Sequence, residues 1–500
     1  MTDDHAALHN ALSARDPRFD GVFYVGVTST GIYCRPICPA RTPKASNCRF
    51  FSSAEAAEKS GFRPCLRCRP ELAPGNAPVD DAQRIASLIV QRIDEGMLDV
   101  VEVPSNGERT AVGLERVAER FGWSSRQIRR IVNRELGVSP MELVLTRRLL
   151  LAKQLLTETN LPITQVASAS GFASLRRFND AFLGRYGMPP TRFRTAADGD
   201  AVAPGEAASF TLQISYRPPF DWQRMLAFLG ARAMKGVESV TGQEYARTVR
   251  MANHRGWVVV RHQPARRSLL VELPHALTPA LPAVLGRLRN LFDLSARPDV
   301  IARHLASDPL LAGALAARPG LRVPGAFDGF ELAVRAVLGQ QVSVKGATTL
   351  AGRFSAAFGE PIATPYEGLT SLSPTAERVA AAREEEIRSL GVVGMRARCI
   401  LALATEVAAG RLVLEAGGDP GRTMEQLVRL PGIGPWTAHY ICMRALRWPD
   451  AFPKEDMVLR KVLGGVTASR AEQLSQPWRP WRSYATLQLW ASTEKDDGNG

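Results

Sequence analysis

Between residues 114 and 186 apolar positions recur with a helical period in two similar blocks. Leu114 to Gly122 followed by Ser124 to Leu136 reads as helix, glycine turn and Ser-capped helix, and Ile163 to Gly171 followed by Ser174 to Tyr186 repeats that layout. In each second helix one face is apolar, Ile128 and Ile131 or Phe178 and Phe182. The other carries arginines, Arg126, Arg129, Arg130 and Arg134 or Arg176, Arg177 and Arg185. Further on, Phe210 to Tyr216 alternates as a strand does, a helical stretch starts at Trp222, and strands recur at Trp257 to Arg261 and Leu269 to Leu273. From about residue 280 the pattern is helical to the end. Segments 71–83 and 195–208 are small, polar and Pro- or Gly-bearing, and read as linkers.

A chain of 500 residues predicts about three or four domains. Hydrophobic residues at 45% and charged residues at 22% are ordinary globular usage, which excludes a wholly disordered, collagen-like or coiled-coil protein. The net charge of +14 favours a polyanionic partner, although excess arginine also serves solubility. Its location decides between them: residues 121–195 hold 12 Lys or Arg against 4 Asp or Glu, which singles out the repeated helical block. No run of 18 apolar residues appears, and the start Met1-Thr2-Asp3-Asp4 lacks the basic and apolar regions of a signal peptide, so a cytoplasmic protein without a membrane span is expected.

Five of the seven cysteines crowd between Cys34 and Cys68. Cys34-x3-Cys38 and Cys65-x2-Cys68 supply four thiols in two pairs, the donor set of a tetrahedral Zn²⁺ that closes a domain too small to bury a sufficient core. Arg, Pro and Gly surround the pairs where a core element would show apolar periodicity. Cys48 fits neither pair. The runs Gly31-Ile32-Tyr33-Cys34-Arg35-Pro36-Ile37-Cys38 and Gly61-Phe62-Arg63-Pro64-Cys65-Leu66-Arg67-Cys68 resemble the amino-terminal domain of the Ada family of adaptive-response DNA repair proteins, over roughly residues 10–75. The resemblance implies that Cys34 takes a methyl group irreversibly from a methylphosphotriester in DNA. Four thiolates on zinc carry net −2, and methylating one leaves −1, so affinity for phosphate should rise. Spacing alone suits a purely structural zinc equally well.

The block from about 84 to 195, ending Gly187-Met188-Pro189-Pro190-Thr191-Arg192-Phe193-Arg194, resembles the AraC-type DNA-binding domain, which follows the zinc domain in the Ada family. The resemblance implies major-groove docking through Arg126, Arg129, Arg130, Arg176 and Arg177, with RNA polymerase as a further partner.

Leu430-Pro431-Gly432-Ile433-Gly434-Pro435-Trp436 lies between two helical stretches and reads as a helix-hairpin-helix. Gly432 and Gly434 let the backbone approach DNA closely, and outward amides at a helix N-terminus bind phosphate whatever the base sequence. An ordinary tight turn has the same pattern. Twenty residues beyond Trp436 stands Asp456, at the start of a further helix. Residues 210 to about 495 resemble the AlkA-type 3-methyladenine DNA glycosylases, through this hairpin, through Phe330 to Val344 and through Pro480 to Trp490. The resemblance implies Asp456 as catalytic carboxylate, Trp436, Tyr440 and Trp490 as aromatic walls of the base pocket, and Gln341 where the family inserts a leucine wedge. It also implies a monovalent cation held by the carbonyls of Val428, Leu430 and Ile433. Trp436 replaces the Schiff-base lysine of bifunctional members, which predicts a monofunctional enzyme. No Pro-Cys-His-Arg run occurs, so the alkylguanine transferase half of the Ada family is replaced by the glycosylase; Cys399 and Cys442 read as packing residues.

The expected fold is multidomain and mainly α. Its parts are a zinc-bound α+β domain (1–75), an AraC-type double helix-turn-helix (76–195), a linker (196–208), a small α+β domain (209–285) and an all-α helix-hairpin-helix glycosylase domain (286–500). The expected function is a nucleoid-associated response to DNA alkylation, in which the chain accepts methyl groups, activates transcription and excises alkylated purines from double-stranded DNA. The alternative is a regulator whose glycosylase-like half grips DNA without excision.

Overall fold

The computed structural model describes residues 5–74, 115, 124–194 and 208–493. The helix expected over Leu114 to Gly122, apart from Glu115, and both linkers, apart from 71–74 and 208, lie outside the described residues. The chain divides into two units, residues 1–218 with 251–255 and 263–286, and residues 219–250 with 256–262 and 287–500.

The first unit opens with helix α1 (His5–Ser13) and a four-stranded sheet, β1 (Tyr24–Val27), β2 (Ile32–Cys34), β3 (Cys48–Phe51) and β4 (Arg63–Pro64), in the order β3-β1-β2-β4. Helix α2 (Ala54–Lys59) follows β3, its Ser53 cap accepting from the Ala56 N–H. Cys34 ends β2 opposite Val25, and the Cys65 N–H donates to the Tyr33 carbonyl, so the ladder itself brings the two cysteine pairs together.

Four helices follow: α3 (Ser125–Leu136), α4 (Pro140–Glu158), α5 (Ile163–Ala169) and α6 (Leu175–Tyr186). Ser124 and Ser139 each form a reciprocal capping box, with Gln127 and Glu142, and Ser174 caps α6. Both α3 and α6 stop at glycines with positive φ, Gly137 and Gly187, where a left-handed residue closes the helix without a Cβ penalty. The inward face of α3 is Ile128, Val132 and Leu136, with Ile131 only half-buried; α6 buries Phe178, Phe182 and Tyr186. Each such burial contributes about 1.5–3 kcal/mol.

Buried charge joins α4 and α6 to the zinc module. Glu58 on α2 accepts from the Tyr33 hydroxyl (2.9 Å) and Thr146 (2.8 Å) and pairs with Arg185. Lys153, 1% exposed, pairs with Glu71 at 2.7 Å. Arg185 is thereby corrected: expected on the exposed arginine face, it turns inward to Glu58. Strands β5 (Ser209–Ser215) and, further along, Ser268–Pro274 pair antiparallel within this unit, from Ser209↔Pro274 to Ser215↔Ser268.

In the second unit helix α7 (Trp222–Gly230) precedes the hairpin β6 (Glu238–Thr241) and β7 (Glu244–Met251). The helices that build the cleft are α8 (Gly329–Leu338), α9 (Val344–Phe358), α10 (Gly394–Ala408), α11 (Pro420–Val428), α12 (Pro435–Arg444), α13 (Met457–Val462) and α14 (Arg482–Ala491). Their core gathers Val337, Phe354, Leu403, Leu427, Ile441 and Cys442, and includes Cys399, both cysteines packing as expected.

Candidate functional site

Two clusters of reactive groups stand out, one in each unit. In the first, the sulfurs of Cys34, Cys38, Cys65 and Cys68 lie within 4.8 Å of one another. Zn–S bonds of about 2.3 Å in a tetrahedron put sulfurs about 3.8 Å apart, so the set fits Zn²⁺. Hydrogen bonds with Cys38 and Cys65 hold the Cys34 thiol far above the ordinary range, whereas those from Cys34, Cys38 and Cys68 hold Cys65 well below it. Cys38 comes down to about 7, chiefly through its bond with Cys34. Crowded sulfurs share protons because adjacent thiolates repel, and a divalent cation removes that conflict. Cys48 stays outside the cluster, its thiol donating to the Lys44 carbonyl at 3.4 Å.

Arg126, Arg129, Arg130, Arg176 and Arg177 are all exposed on α3 and α6, opposite the buried faces of those helices. This is the layout a groove-docking helix requires.

In the second unit a cavity of about 1450 Å³ is lined by Trp436, Tyr440, Asp456 and Trp490 together with Gln341, Gly432 and Gly434. All seven residues expected there from the sequence thus meet in one place. The volume exceeds the usual 300–1000 Å³ of a small-molecule pocket and suits an extended ligand.

Asp456 caps α13, and its carboxylate is held by three donors. Oδ1 accepts from the Leu459 N–H (2.8 Å) and the Trp490 indole N–H (3.1 Å), and Oδ2 accepts from the Trp436 indole N–H (2.7 Å). The residue is 9% exposed. A carboxylate offers about four lone-pair sites, so one remains to face the cavity. The two tryptophans therefore orient the acid as well as lining the space. Trp436 and Tyr440, one helical turn apart on α12, stack with centroids 5.3 Å apart and planes 7° from parallel. No base fits between these two rings, so they form a single wall. No lysine lines the cavity among the described residues.

The hairpin between α11 and α12 uses its glycines differently. Gly432 has φ +84, and a Cβ there would sit 3.4 Å from the Cys399 Cβ; at Gly434, which caps α12, a Cβ would meet nothing within 4 Å. Gly432 is thus required by the fold, whereas the space beside Gly434 is open to an approaching backbone. Gln340 donates to the Gly432 carbonyl (2.8 Å) and the Thr437 hydroxyl (3.1 Å), tying the following loop to the hairpin. At the tip Gln341 is exposed with φ +54, a left-handed conformation costing a non-glycine residue about 1–2 kcal/mol.

Sequence reasoning missed Gln340 and the cavity's apolar rim, Val342, Val344, Val393, Met395, Val428 and Val458, all exposed. Exposed apolar residues gathered at a cleft mark a partner surface. Each is unremarkable alone, and only the fold collects them.

Family models match the chain in four places: the metal binding domain of Ada over residues 7–71, a helix-turn-helix domain over 117–196, the AlkA N-terminal domain over 211–328, and the HhH-GPD superfamily of base excision DNA repair proteins over 334–477. A zinc-binding thiol module, a helix-turn-helix and a base-excision fold in one chain define a DNA-binding repair protein that also regulates transcription. The chain belongs to the family of bifunctional transcriptional activator/DNA repair enzymes. It is 39% identical, over 99% of its own length and 97% of the relative's, to a "probable bifunctional transcriptional activator/DNA repair enzyme AlkA" of Mycobacterium tuberculosis. It is also 37% identical to DNA-3-methyladenine glycosylase 2 of Escherichia coli, over 55% of this chain and 95% of that one. Among solved structures, a 3-methyladenine DNA-glycosylase from Archaeoglobus fulgidus matches with TM-score 0.49 at 21% identity, covering 56% of this chain and 96% of that chain. Among the described residues no helix is long and apolar enough to cross a membrane.

Proposed function

We propose that the second unit is a monofunctional glycosylase that excises alkylated purines such as 3-methyladenine from duplex DNA, with Asp456 as its catalytic carboxylate. One observation carries this reading: two indoles and a backbone amide orient the Asp456 carboxylate on the wall of the cavity. Alkylation at a ring nitrogen makes the purine cationic and weakens its bond to the sugar, and a fixed carboxylate stabilises the oxocarbenium-like charge that develops at C1′. Everting the base costs a few kcal/mol, least for a damaged base. In this reading the ring pair of Trp436 and Tyr440 and the Trp490 indole receive the base. Gln341 plugs the vacated stack, Gly432 and Gly434 hold the backbone, and the hairpin carbonyls bind a monovalent cation.

In the first unit Cys34 is the methyl acceptor. Zinc, when bound, holds the four sulfurs as thiolates. The Cys34 sulfur attacks the methyl carbon, an S–C bond forms, and the C–O bond breaks with its electrons passing to the phosphate oxygen. The resulting thioether is neutral, so the module loses one negative charge and binds DNA more tightly. Arg126, Arg129, Arg130, Arg176 and Arg177 then dock α3 and α6 on promoter DNA in the cytoplasm, where RNA polymerase is recruited.

An abasic-site assay on methylated duplex tests the excision reading: wild type generates abasic sites and Asp456→Asn does not. Equal yields from both would leave the regulator reading, in which this half only grips DNA. Mass spectrometry after incubation with methylphosphotriester DNA tests the other half. About 14 Da should appear at Cys34, and an unchanged mass would leave the zinc purely structural.

A further inference from the structure

Arg444, the last residue of α12, is 6% exposed, and each of its three side-chain nitrogens donates a hydrogen bond. Its Nε donates to the Pro324 carbonyl (2.8 Å), Nη2 to the Gly325 carbonyl (3.0 Å) and Nη1 to the Tyr440 phenol oxygen (2.7 Å). Among the described residues no carboxylate pairs with it. Two fixed carbonyls thus clamp a buried cation against one hydroxyl. A phenol oxygen that accepts from a guanidinium turns its own proton outward, and among the described residues that proton meets no acceptor. Tyr440, Arg444, Arg232, Phe228 and Pro324 line the same cavity as Asp456.

We propose that the Tyr440 hydroxyl, held by Arg444, donates a hydrogen bond to the edge of the departing base and takes up the charge that an uncharged modified base acquires as it leaves. The inference rests on the excision reading above and adds a second catalytic residue to it, with Arg444 as a positioning residue. When the C1′–N bond breaks, both electrons pass to the base. A cationic alkylpurine leaves neutral, whereas an uncharged base leaves as an anion and depends on a donor. Water adds to C1′ and the proton it sheds ends on the base through solvent, so the phenol is not consumed. The donor lies in the plane of the ring, where it meets a base edge and not a base stacked on that ring.

The electrostatics support the geometry. Burial alone would push the phenol up, but three guanidiniums outweigh it and bring Tyr440 below the ordinary tyrosine value: Arg444 on its own helix, Arg232 just beyond α7, and Arg335 on α8. Arg335 is itself neutralised by Glu238 at 2.6 Å, and the Asp456 carboxylate is engaged by the Trp436 indole N–H. A more acidic phenol is a stronger donor until it ionises.

Single-turnover release of 7-methylguanine and of hypoxanthine from matched duplexes, by the full zinc-loaded chain, tests the inference. Tyr440→Phe keeps the ring stacked on Trp436 and removes only the hydroxyl. Both releases should fall, with hypoxanthine release falling about 100-fold further. Equal losses on the two bases, or wild-type release of 7-methylguanine without hypoxanthine, would overturn the inference and leave the excision reading standing. Wild-type release of neither base would overturn both.

Discussion

The two reactive centres of this chain are built in opposite ways. The thiol centre draws its four sulfurs from one short stretch, Cys34 to Cys68, in two segments that the pairing of β2 with β4 places side by side. The aspartate centre draws on three helices: Asp456 caps α13, Trp436 reaches it from α12 and Trp490 from α14. On the proposed reading, a thiol that reacts once and becomes a thioether needs only a metal to keep it charged, whereas a carboxylate that serves every turnover needs fixed neutral donors, so that its oxygens keep their aim without acquiring a partner that quenches their charge.

Four measurements bear on that contrast. Chelation of zinc should unfold the first centre, since structural Zn²⁺ contributes on the order of 10 kcal/mol to such modules. Excision of alkylated bases should persist, and circular dichroism with a parallel base-release assay would show both. Next in size is Asp456→Asn, for which single-turnover base release should drop about 1000-fold while methyl transfer to Cys34 continues. A third effect belongs to the second unit alone. His439 on α12 accepts from the Phe452 N–H and is held down to about 4, by burial first and then by Arg482. The unfolded chain protonates this histidine near 6.5 and the folded one only near 4, so its stabilising contribution is full above 6.5 and is lost as pH falls to 4. The loss is about 3 kcal/mol. Denaturant titrations at pH 7 and pH 4 should show this drop in wild type and a smaller one in His439→Asn. Smallest is Trp490→Phe, which removes one indole donor from Asp456. A hydrogen bond to a charged group is worth about 1.5–3 kcal/mol, so turnover should fall about 10- to 100-fold with the fold intact.

What the sequence disclosed follows the same divide. The cysteine pairs, the Ser124 and Ser174 caps, the glycine hairpin and Asp456 at a helix start are local patterns, and each lies where its spacing put it. The indole N–H bonds to Asp456 are tertiary, so Trp436 and Trp490 read only as pocket walls. The hairpin β6–β7 escaped notice because β7 is buried on both faces, which removes the alternation of a half-exposed strand. It also holds a buried Arg247, paired with Glu331 at 2.8 Å and lying over Phe327, where a strand pattern expects an apolar residue. Arg185 was misplaced for a similar reason: its partner Glu58 lies 127 residues away in the chain.

Two chemistries carried by separate groups of one molecule can be read out in one experiment. Duplex DNA bearing both methylphosphotriesters and 7-methylguanine is incubated with Asp456→Asn, and the methyl on Cys34 and the abasic sites in the DNA are counted in the same sample. Stoichiometric methylation with almost no abasic sites is expected; wild-type levels of abasic sites, or the loss of both signals together, would refute the assignment of the two chemistries to separate centres.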